Sequence, residues 1–369
     1  MRYLFQLGHQ PQISATEITA VFALHHIITS SPHHRENFLI LETDQQLNCE
    51  ELIEILGGTV KIAKKIDTDV LDYLNQTQPT GKIIFSLPDK KAAIKIKKQL
   101  KQAERSVRYI EPKNTATILH NNLVKLGGDL TVIDNETFAT QAIQPFEEFS
   151  QRDYGRPSSD DKSGMLPPKL ARILVNLSQM PKDAIILDPF CGSGTILTEA
   201  ATLGYTNLIG SDISAKAVAD TKKNLEWVKN NYHLSSIIYH LFEMAVTQLT
   251  EQLEPVSVNT IVTEPLLGKP LTGRESKEKL QAQANELAQL YIESFKTFAK
   301  ILKPDGVALF IIPKFRFQNE WTKIDCVDKI KKTGFKTVPF EILGGSPVEH
   351  LTYHRPNQHL ARTIWRFIK

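Results

Sequence analysis

The feature that most constrains the fold is an apolar segment that leads into a glycine-containing turn and then into a helix-forming segment. Residues 184–187 are apolar and end at Asp188, Gly192 and Gly194 follow, and residues 195–201 have helical composition. Glycine lets the backbone turn tightly and approach a ligand without a Cβ atom in the way. Because the free N–H groups of a helix start point into such a turn, the segment predicts a buried strand, a ligand-binding turn and a helix.

A second strand with an acidic end follows, since residues 208–211 lead into Asp212. A glycine turn after one strand and an acid after the next are typical of an α/β fold that holds a nucleoside cofactor. A dinucleotide-binding fold is the rival interpretation, but its turn reads G-x-G-x-x-G, and Leu197 occupies the place of the third glycine. A tight turn without a ligand is the simpler alternative for the glycines. For Asp212 the simpler alternative is that its side chain caps the N-terminus of the helix that starts near Ser214.

Strand-like and helix-like segments alternate through the second half of the chain, from a helix at 169–177 to a strand near 362–368. Such alternation predicts a mostly parallel sheet with helices on both faces. The last predicted helix covers 321–333, and strands at 335–342 and near 362–368 close the pattern. We therefore expect an α/β architecture for this half.

Composition limits the class of protein. The 369 residues, with a formal net charge of +3, suffice for two or three domains. No apolar run approaches the length of a membrane span, and the N-terminus lacks the apolar region of a secretory leader. Cys49, Cys191 and Cys326 are far apart, which predicts neither a disulfide framework nor a metal site and fits a reducing cytoplasm. Cys191, in the turn, is a weak alternative candidate for a nucleophile.

The first part of the chain predicts smaller mixed α/β units. Nine Lys or Arg residues fall within 82–108, opposed only by Asp89 and Glu104. Either this stretch is an ordinary solvated helix face or it contacts phosphates. The predicted domains are a ferredoxin-like α+β domain at 1–75, an RNA-binding domain resembling a THUMP domain at 76–148, a linker or cofactor-covering loop at 149–168, and a catalytic domain at 169–369.

Four motifs carry a family resemblance. The string Asp188-Pro189-Phe190-Cys191-Gly192-Ser193-Gly194-Thr195 resembles the first motif of S-adenosylmethionine-dependent methyltransferases that act on exocyclic amines of bases. Three further segments complete the match: residues 154–157 with 163–171, the late loop 353–358, and residues 263–268, called the tetrad region because they stand where these enzymes carry an Asp-Pro-Pro-Tyr-like tetrad. Together they resemble the tRNA guanosine-10 N2-methyltransferase family, THUMP-containing enzymes, and its bacterial relatives.

The resemblance implies a Rossmann-like seven-stranded methyltransferase domain, with the last strand antiparallel, preceded by small α+β units. It implies S-adenosyl-L-methionine as cofactor, tRNA or another structured RNA as partner, no metal and no membrane, and transfer of a methyl group to the N2 amine of a guanosine. By the same resemblance the catalytic residues are Glu264, Pro265 and Leu267. The implied cofactor-binding residues are Gly164, Asp188, Pro189, Phe190, Gly192, Gly194, Thr195, Asp212 and Glu243.

Two positions depart from the family pattern. Leu267 stands where an aromatic residue is usual, and Ala245 stands where the acid that binds adenine is expected, so Glu243 is the substitute candidate. Two other functions therefore remain open: a DNA amino-methyltransferase, and an RNA-binding protein with a degenerate methyltransferase domain.

Overall fold

The computed structural model describes residues 1–158, 165–356 and 358–369. These residues form two compact units. The N-terminal unit consists of Met1–Pro11 and His26–Pro145, and the C-terminal unit consists of Gln12–His25 and Phe146–Lys369. Among the described residues, no helix has both the length and the hydropathy of a membrane span.

The first part of the chain alternates short strands and helices. In order, these are β1 (Arg2–Leu7), α1 (Pro11–Leu24), β2 (Thr29–Arg35), β3 (Phe38–Thr43), α2 (Cys49–Ile55), β4 (Thr59–Lys65), α3 (Val70–Thr77), β5 (Ile83–Ser86), α4 (Lys90–Gln102), β6 (Val107–Ile110), α5 (Thr115–His120), β7 (Leu130–Ile133) and β8 (Glu136–Ile143).

The N-terminal unit is built on a six-stranded sheet of order β2-β3-β1-β4-β8-β7 and a two-stranded parallel sheet of β5 and β6. The boundary predicted at residue 75 runs through the larger sheet, since β4 pairs with β8 from the other side of that boundary. Alternating burial along a strand specifies its inner face but not its neighbour. The structure therefore has one unit where the sequence analysis placed two domains.

Helix α1 belongs to the C-terminal unit, although the prediction placed it in a domain at 1–75. Asn176 donates a hydrogen bond through Nδ2 to Glu17 Oε1 at 2.7 Å, and the backbone N–H of Leu343 donates to Thr19 Oγ1 at 3.0 Å. Most of its apolar side chains are buried, among them Ile18 and Phe22. The helix is separated in sequence from its packing partners, so no local pattern could assign it to them.

The C-terminal unit alternates helices and strands. They are α6 (Phe146–Tyr154), α7 (Pro168–Leu177), β9 (Ile185–Asp188), α8 (Thr195–Thr202), β10 (Asn207–Asp212), α9 (Ala215–Asn231), β11 (Ile238–Glu243), β12 (Val258–Thr263), α10 (Lys277–Ile301), β13 (Leu302–Phe317), β14 (Glu320–Lys323), α11 (Val327–Lys331), β15 (Lys336–Thr337), β16 (His350–Tyr353) and β17 (Leu360–Ile368). A 3-10 helix, Val246–Glu251, precedes β12. Helix α6 covers part of the segment predicted as a linker.

The strand order β11-β10-β9-β12-β13-β17-β15 confirms the predicted seven-stranded arrangement, with β14 and β16 added outside this path. Neighbours from β11 to β13 are parallel, and β17 is antiparallel to β13 as expected. Because parallel strands end at the same edge of a sheet, Asp188, Asp212, Glu243 and Thr263 come together there. Asp212 lies in register with Glu243, and Asp188 with Gly210.

Aromatic residues form the core between α10 and the sheet. The Phe295 ring lies 5.1 Å from that of Phe310 and 4.7 Å from that of Phe367, in edge-to-face geometry. Beyond this core the predicted helix at 321–333 is wrong in its first half. Trp321 lies in β14, in register with Arg316 of β13, because β13 is long enough to form a hairpin.

Candidate active site

The turn after β9 has the predicted strand, turn and helix order. Gly192 and Gly194 both have positive φ, at 54° and 82°, and Gly194 is the N-cap of α8. A Cβ at Gly194 would lie 2.9 Å from Thr221 Cγ2, whereas a Cβ at Gly192 would point into open space. Both positions favour glycine because of their positive φ, and of the two only Gly194 also lacks room for a Cβ atom.

Side chains from α9 and from the segment before α7 hold this turn in place. Thr221 donates through Oγ1 to the carbonyl of Gly192 at 2.8 Å, and Asn224 donates through Nδ2 to the carbonyl of Ser193 at 2.8 Å. Arg156 donates through a terminal nitrogen to Thr195 Oγ1 at 2.6 Å. The sequence analysis missed Thr221 and Asn224. Their signal was two polar residues three apart on the buried face of a helix.

Asp212 connects the second strand to the turn. Its Oδ2 accepts a hydrogen bond from the Gly192 N–H at 3.0 Å, and its Oδ1 accepts one from the Ser214 N–H at 2.9 Å. The N-cap of α9 is Ser214, whose Oγ accepts from Ala217 N–H. The N-cap alternative for Asp212 is therefore wrong. Since a carboxylate offers about four acceptor sites, acceptor capacity remains at Asp212 after these two bonds.

Asp188 is buried at the end of β9, and its carboxylate faces protein groups. Oδ1 accepts hydrogen bonds from Thr263 Oγ1 at 2.6 Å and from the Phe190 N–H at 3.2 Å. Burial raises the pKa of Asp188 to about 7, against the opposing effect of these two hydrogen bonds. The negative charges of Asp212 and Glu264 add to the rise. Asp188 thus links the ends of β9 and β12 to the start of the turn.

The remaining predicted cofactor residues differ in exposure. Pro189 is buried, Phe190 is half-buried against the aromatic core, and Glu243 is exposed beside Asp212. Gly164 lies outside the described residues. The sequence analysis overlooked Ile213, a large apolar side chain that is 78 % exposed directly after Asp212. Its hydropathy favours a buried position, so the sequence gives no sign that this side chain faces solvent beside the turn.

The acid after β12 is held by an ion pair. Arg362 of β17 donates through Nε to Glu264 Oε1 at 2.5 Å, and the side chains are 9 % and 12 % exposed. The two residues are 98 positions apart. Burial raises the pKa of Glu264, and the positive charge of Arg362 partly offsets that rise. The sequence analysis missed Arg362, for which nothing local gives a signal.

The rest of the tetrad region is fixed by α10. Pro265 is buried, and Tyr291 donates through its hydroxyl to the carbonyl of Leu266 at 2.7 Å. The Leu266 side chain is 58 % exposed, and that of Leu267 is half-buried. The exposed apolar surface beside Glu264 therefore comes more from Leu266 than from the predicted Leu267.

Comparison with known proteins gives the family of the chain. A family model described as an RMKL-like methyltransferase domain matches residues 156–317, and a DNA methylase model matches residues 83–223. The chain is 32 % identical over 145 residues to a probable tRNA (guanine(10)-N2)-dimethyltransferase of Methanothermococcus thermolithotrophicus, covering 38 % of this chain and 78 % of that protein. The chain belongs to the tRNA (guanine(10)-N2)-dimethyltransferase family.

Two longer members of this family are matched in part. The tRNA (guanine(10)-N2)-dimethyltransferase of Methanocaldococcus jannaschii is 28 % identical over 189 residues, covering 50 % of this chain and 48 % of that protein. The enzyme of Methanothermobacter thermautotrophicus is 37 % identical over 141 residues, 38 % of each chain. The match therefore spans half or less of the length of these two relatives. The crystal structure of TrmN from Thermus thermophilus has the same fold over the full length of both chains, with 15 % identity and a TM-score of 0.52.

The family match covers the turn, Asp212 and Glu264, whereas Arg362 lies beyond it. Within the described ranges, no group of three His, Cys, Asp or Glu side chains could hold a metal ion. The Cys191 thiol is buried, which raises its pKa far above the usual range for a thiol. A thiolate nucleophile is thus unfavourable at this position. In this family member the polar groups at the sheet edge suit ligand binding and hydrogen-bond acceptance.

Proposed function

We propose that this protein is an S-adenosylmethionine-dependent methyltransferase that transfers a methyl group to the exocyclic N2 amine of a guanosine in tRNA. The observation that carries the proposal is the position of Glu264 and Pro265 after β12, at the same sheet edge as the glycine turn after β9. Family membership supports it, since the matched relatives are named for this reaction.

The residues around the turn fit the proposed cofactor. Open space in front of Gly192 accommodates a close ligand, and Asp212 keeps acceptor capacity for two ribose hydroxyls. We assign Asp188, Pro189, Phe190, Gly194 and Thr195 to shaping the methionine end, and exposed Glu243 with Ile213 to the adenine end. Gly164, in the cofactor-covering loop, stays a prediction. Asp188 would act by holding the turn, because it is buried and its Oδ1 accepts hydrogen bonds from Thr263 and Phe190.

Glu264 and Pro265 are the proposed catalytic residues. The cofactor supplies an electrophilic methyl group, so positioning of the amine is the main task of the protein. The lone pair of the guanine amine is delocalised into the ring, and acceptors for its two hydrogens favour the tetrahedral nitrogen that can attack. Glu264 provides a carboxylate oxygen and Pro265 a carbonyl oxygen for these hydrogens. Leu267 would pack against the face of the extruded base.

We propose that the N-terminal unit, with its THUMP-like part, binds the RNA. Helix α4 has most of its lysines exposed, with Ala93 and Leu100 buried beneath them. Lys91, Lys95, Lys98 and Lys101 are all solvent-exposed, which suits contact with phosphates. We also propose a cytoplasmic location, which fits a tRNA substrate and three buried free cysteines.

The test is methyl transfer from labelled S-adenosylmethionine to unmodified tRNA, with duplex DNA as the competing acceptor. Label in N2-methylguanosine, located by mass spectrometry of nucleosides, is the expected result, and Glu264→Gln is the matched control with strongly reduced turnover. Label in DNA but not in RNA would favour the alternative function of a DNA amino-methyltransferase. The match of residues 83–223 to a DNA methylase family model is the observation that favours this alternative.

A degenerate enzyme that only binds RNA predicts a different result. Calorimetry with S-adenosylmethionine separates the two, because such a protein would bind tRNA and show no heat of cofactor binding. The intact glycine turn and the Asp212 contacts favour measurable cofactor binding.

A further inference from the structure

Besides the exposed Glu243, three carboxylates lie at the sheet edge, and the Glu264–Arg362 pair is the only ion pair among the described residues that involves one of them. The other two are Asp188 and Asp212, and their charges are close enough for Asp188 to be affected by both Asp212 and Glu264. Three carboxylates gathered in a partly buried edge repel one another. The guanidinium of Arg362 therefore balances the negative charge of Glu264, the proposed acceptor for the substrate amine.

Burial makes the partner necessary. A carboxylate that is 12 % exposed loses most of its hydration, and an unpaired charge in that setting takes up a proton. Arginine stays charged over the whole working pH range. With Arg362 in place, the rise in the pKa of Glu264 is held back, which favours the ionised carboxylate, whose oxygens only accept hydrogen bonds.

Arg362 also fixes the direction of the carboxylate. Its Nε engages Oε1, and no group in the described ranges donates a hydrogen bond to Oε2. The arginine itself stands on a strand paired on both sides, opposite Pro313 of β13 and Tyr353 of β16. A donor on a rigid central strand holds one oxygen and leaves the other as acceptor.

We propose that Arg362 is a positioning residue for methyl transfer: it keeps Glu264 ionised and orients its Oε2 toward the substrate amine. The inference rests on the proposed function, in which Glu264 accepts the amine hydrogens. Arg362 has no contact with substrate in this role, and it acts through Glu264 alone.

Other titratable groups near Glu264 must be separated from this effect. The charges of Glu264 and of Asp212 on β10 raise the pKa of Asp188 on β9. The charge of Glu264 also raises the pKa of Tyr291 on α10. These groups are present in both the wild type and an Arg362 variant. A difference between the two proteins that disappears when Glu264 is replaced therefore belongs to the Glu264–Arg362 pair.

The experiment measures kcat for methyl transfer to tRNA, at saturating substrates, between about pH 5.5 and 9, a range that spans the ionisation of a buried carboxyl. The proteins are wild type, Arg362→Met, Arg362→Lys, Glu264→Gln and the double variant Arg362→Met/Glu264→Gln. Arg366→Met is the matched control, because Arg366 lies on the same strand and bonds Gln179 instead. Circular dichroism and calorimetry with S-adenosylmethionine establish folding and cofactor affinity.

In Arg362→Met the acidic limb of the kcat profile should move to higher pH, and kcat on that limb should fall about tenfold for each pH unit that the limb moves. Arg362→Lys should restore part of the wild-type profile, and Arg366→Met should keep the whole of it. In the Glu264→Gln background the Arg362 substitution should cause no further loss. An unchanged pH profile in Arg362→Met, or equal losses in both backgrounds, would overturn the inference.

A second readout does not depend on activity. The infrared band of the protonated Glu264 carboxyl, assigned by its absence in Glu264→Gln, should persist to higher pH in Arg362→Met than in the wild type. Identical titrations would overturn the role of Arg362 in ionisation. A wild-type protein that transfers no methyl group to tRNA would overturn the proposed function, and the infrared titration would still decide the effect of Arg362 on Glu264.

Discussion

The two sides of the candidate site are held by different kinds of interaction. On the turn side, backbone N–H groups of Gly192 and Ser214 bond to Asp212, and neighbouring parallel strands fix the spacing. On the acid side, Glu264 depends on one side chain, Arg362, that arrives from an antiparallel strand late in the chain. The turn side is therefore held by several contacts, including those of Thr221 and Asn224, whereas the acid side depends on one buried ion pair, whose loss leaves an uncompensated charge.

This difference separates binding from chemistry. Substitutions on the turn side should change stability and cofactor affinity, and substitutions on the acid side should change turnover. The following predictions test that separation, from the largest expected effect to the smallest.

Glu264→Gln should lower kcat by about 10²–10³-fold, because it removes a charged acceptor from the reacting amine. The Gln carbonyl can still accept from Arg362 Nε, so the fold should persist. Steady-state methylation of tRNA gives kcat, and calorimetry should show an unchanged Kd for S-adenosylmethionine. If cofactor affinity falls as much as kcat, the two sides of the site are not separable.

Asp188→Asn should remove a pH dependence of stability. The folded-state pKa of Asp188 is raised to about 7, above its value in the unfolded chain. Between about pH 4 and 7 the folded protein then holds a proton that the unfolded chain has lost, so Asp188 makes the wild type less stable as pH rises. The variant should gain about 2 kcal/mol relative to the wild type between about pH 5 and 7. Urea unfolding at several pH values measures this, and a constant difference would contradict the assigned burial.

Gly194→Ala and Gly192→Ala form a matched pair on the turn side. Both force alanine into positive φ, at a cost of about 1–2 kcal/mol, and only the Gly194 variant also places Cβ against Thr221. Gly194→Ala should therefore lose more unfolding free energy, and Gly192→Ala should lose proportionally more cofactor affinity. Urea unfolding and calorimetry measure the two quantities. Equal losses of affinity in both variants would mean that the space before Gly192 is not part of the cofactor site.

Leu267→Tyr should have the smallest effect, a severalfold decrease in KM for tRNA with little change in kcat. A ring at this position adds base stacking, which is worth about 1–3 kcal/mol per base. Leu266→Tyr is the control, since Leu266 is its exposed neighbour. If Leu266→Tyr lowers KM and Leu267→Tyr does not, the base contacts the exposed residue.

The turn side could be predicted from sequence, and the acid side could be predicted only in part. The strand, turn and helix order from Asp188 to Thr195, and the acid at Asp212, follow local rules of backbone conformation. Glu264 was found through the tetrad motif, but its partner Arg362 was not, because pairing across 98 residues is a property of the sheet topology. The helix expected over 321–333 failed for a related reason: pairing with β13 determines the state of Trp321.

The path of the chain has a consequence for its synthesis. The chain passes between the two units three times, at residues 11/12, 25/26 and 145/146. Helix α1 therefore leaves the ribosome about 120 residues, His26 to Pro145, before the first residue of the segment it packs with. Until that segment emerges, Glu17 and Thr19 of this helix lack their native partners Asn176 and Leu343. A segment made late thus completes the packing of one made early. A nascent chain stopped at Pro145 lacks the rest of the unit to which helix α1 belongs, and apolar surface exposed at such a stage is what chaperones recognise.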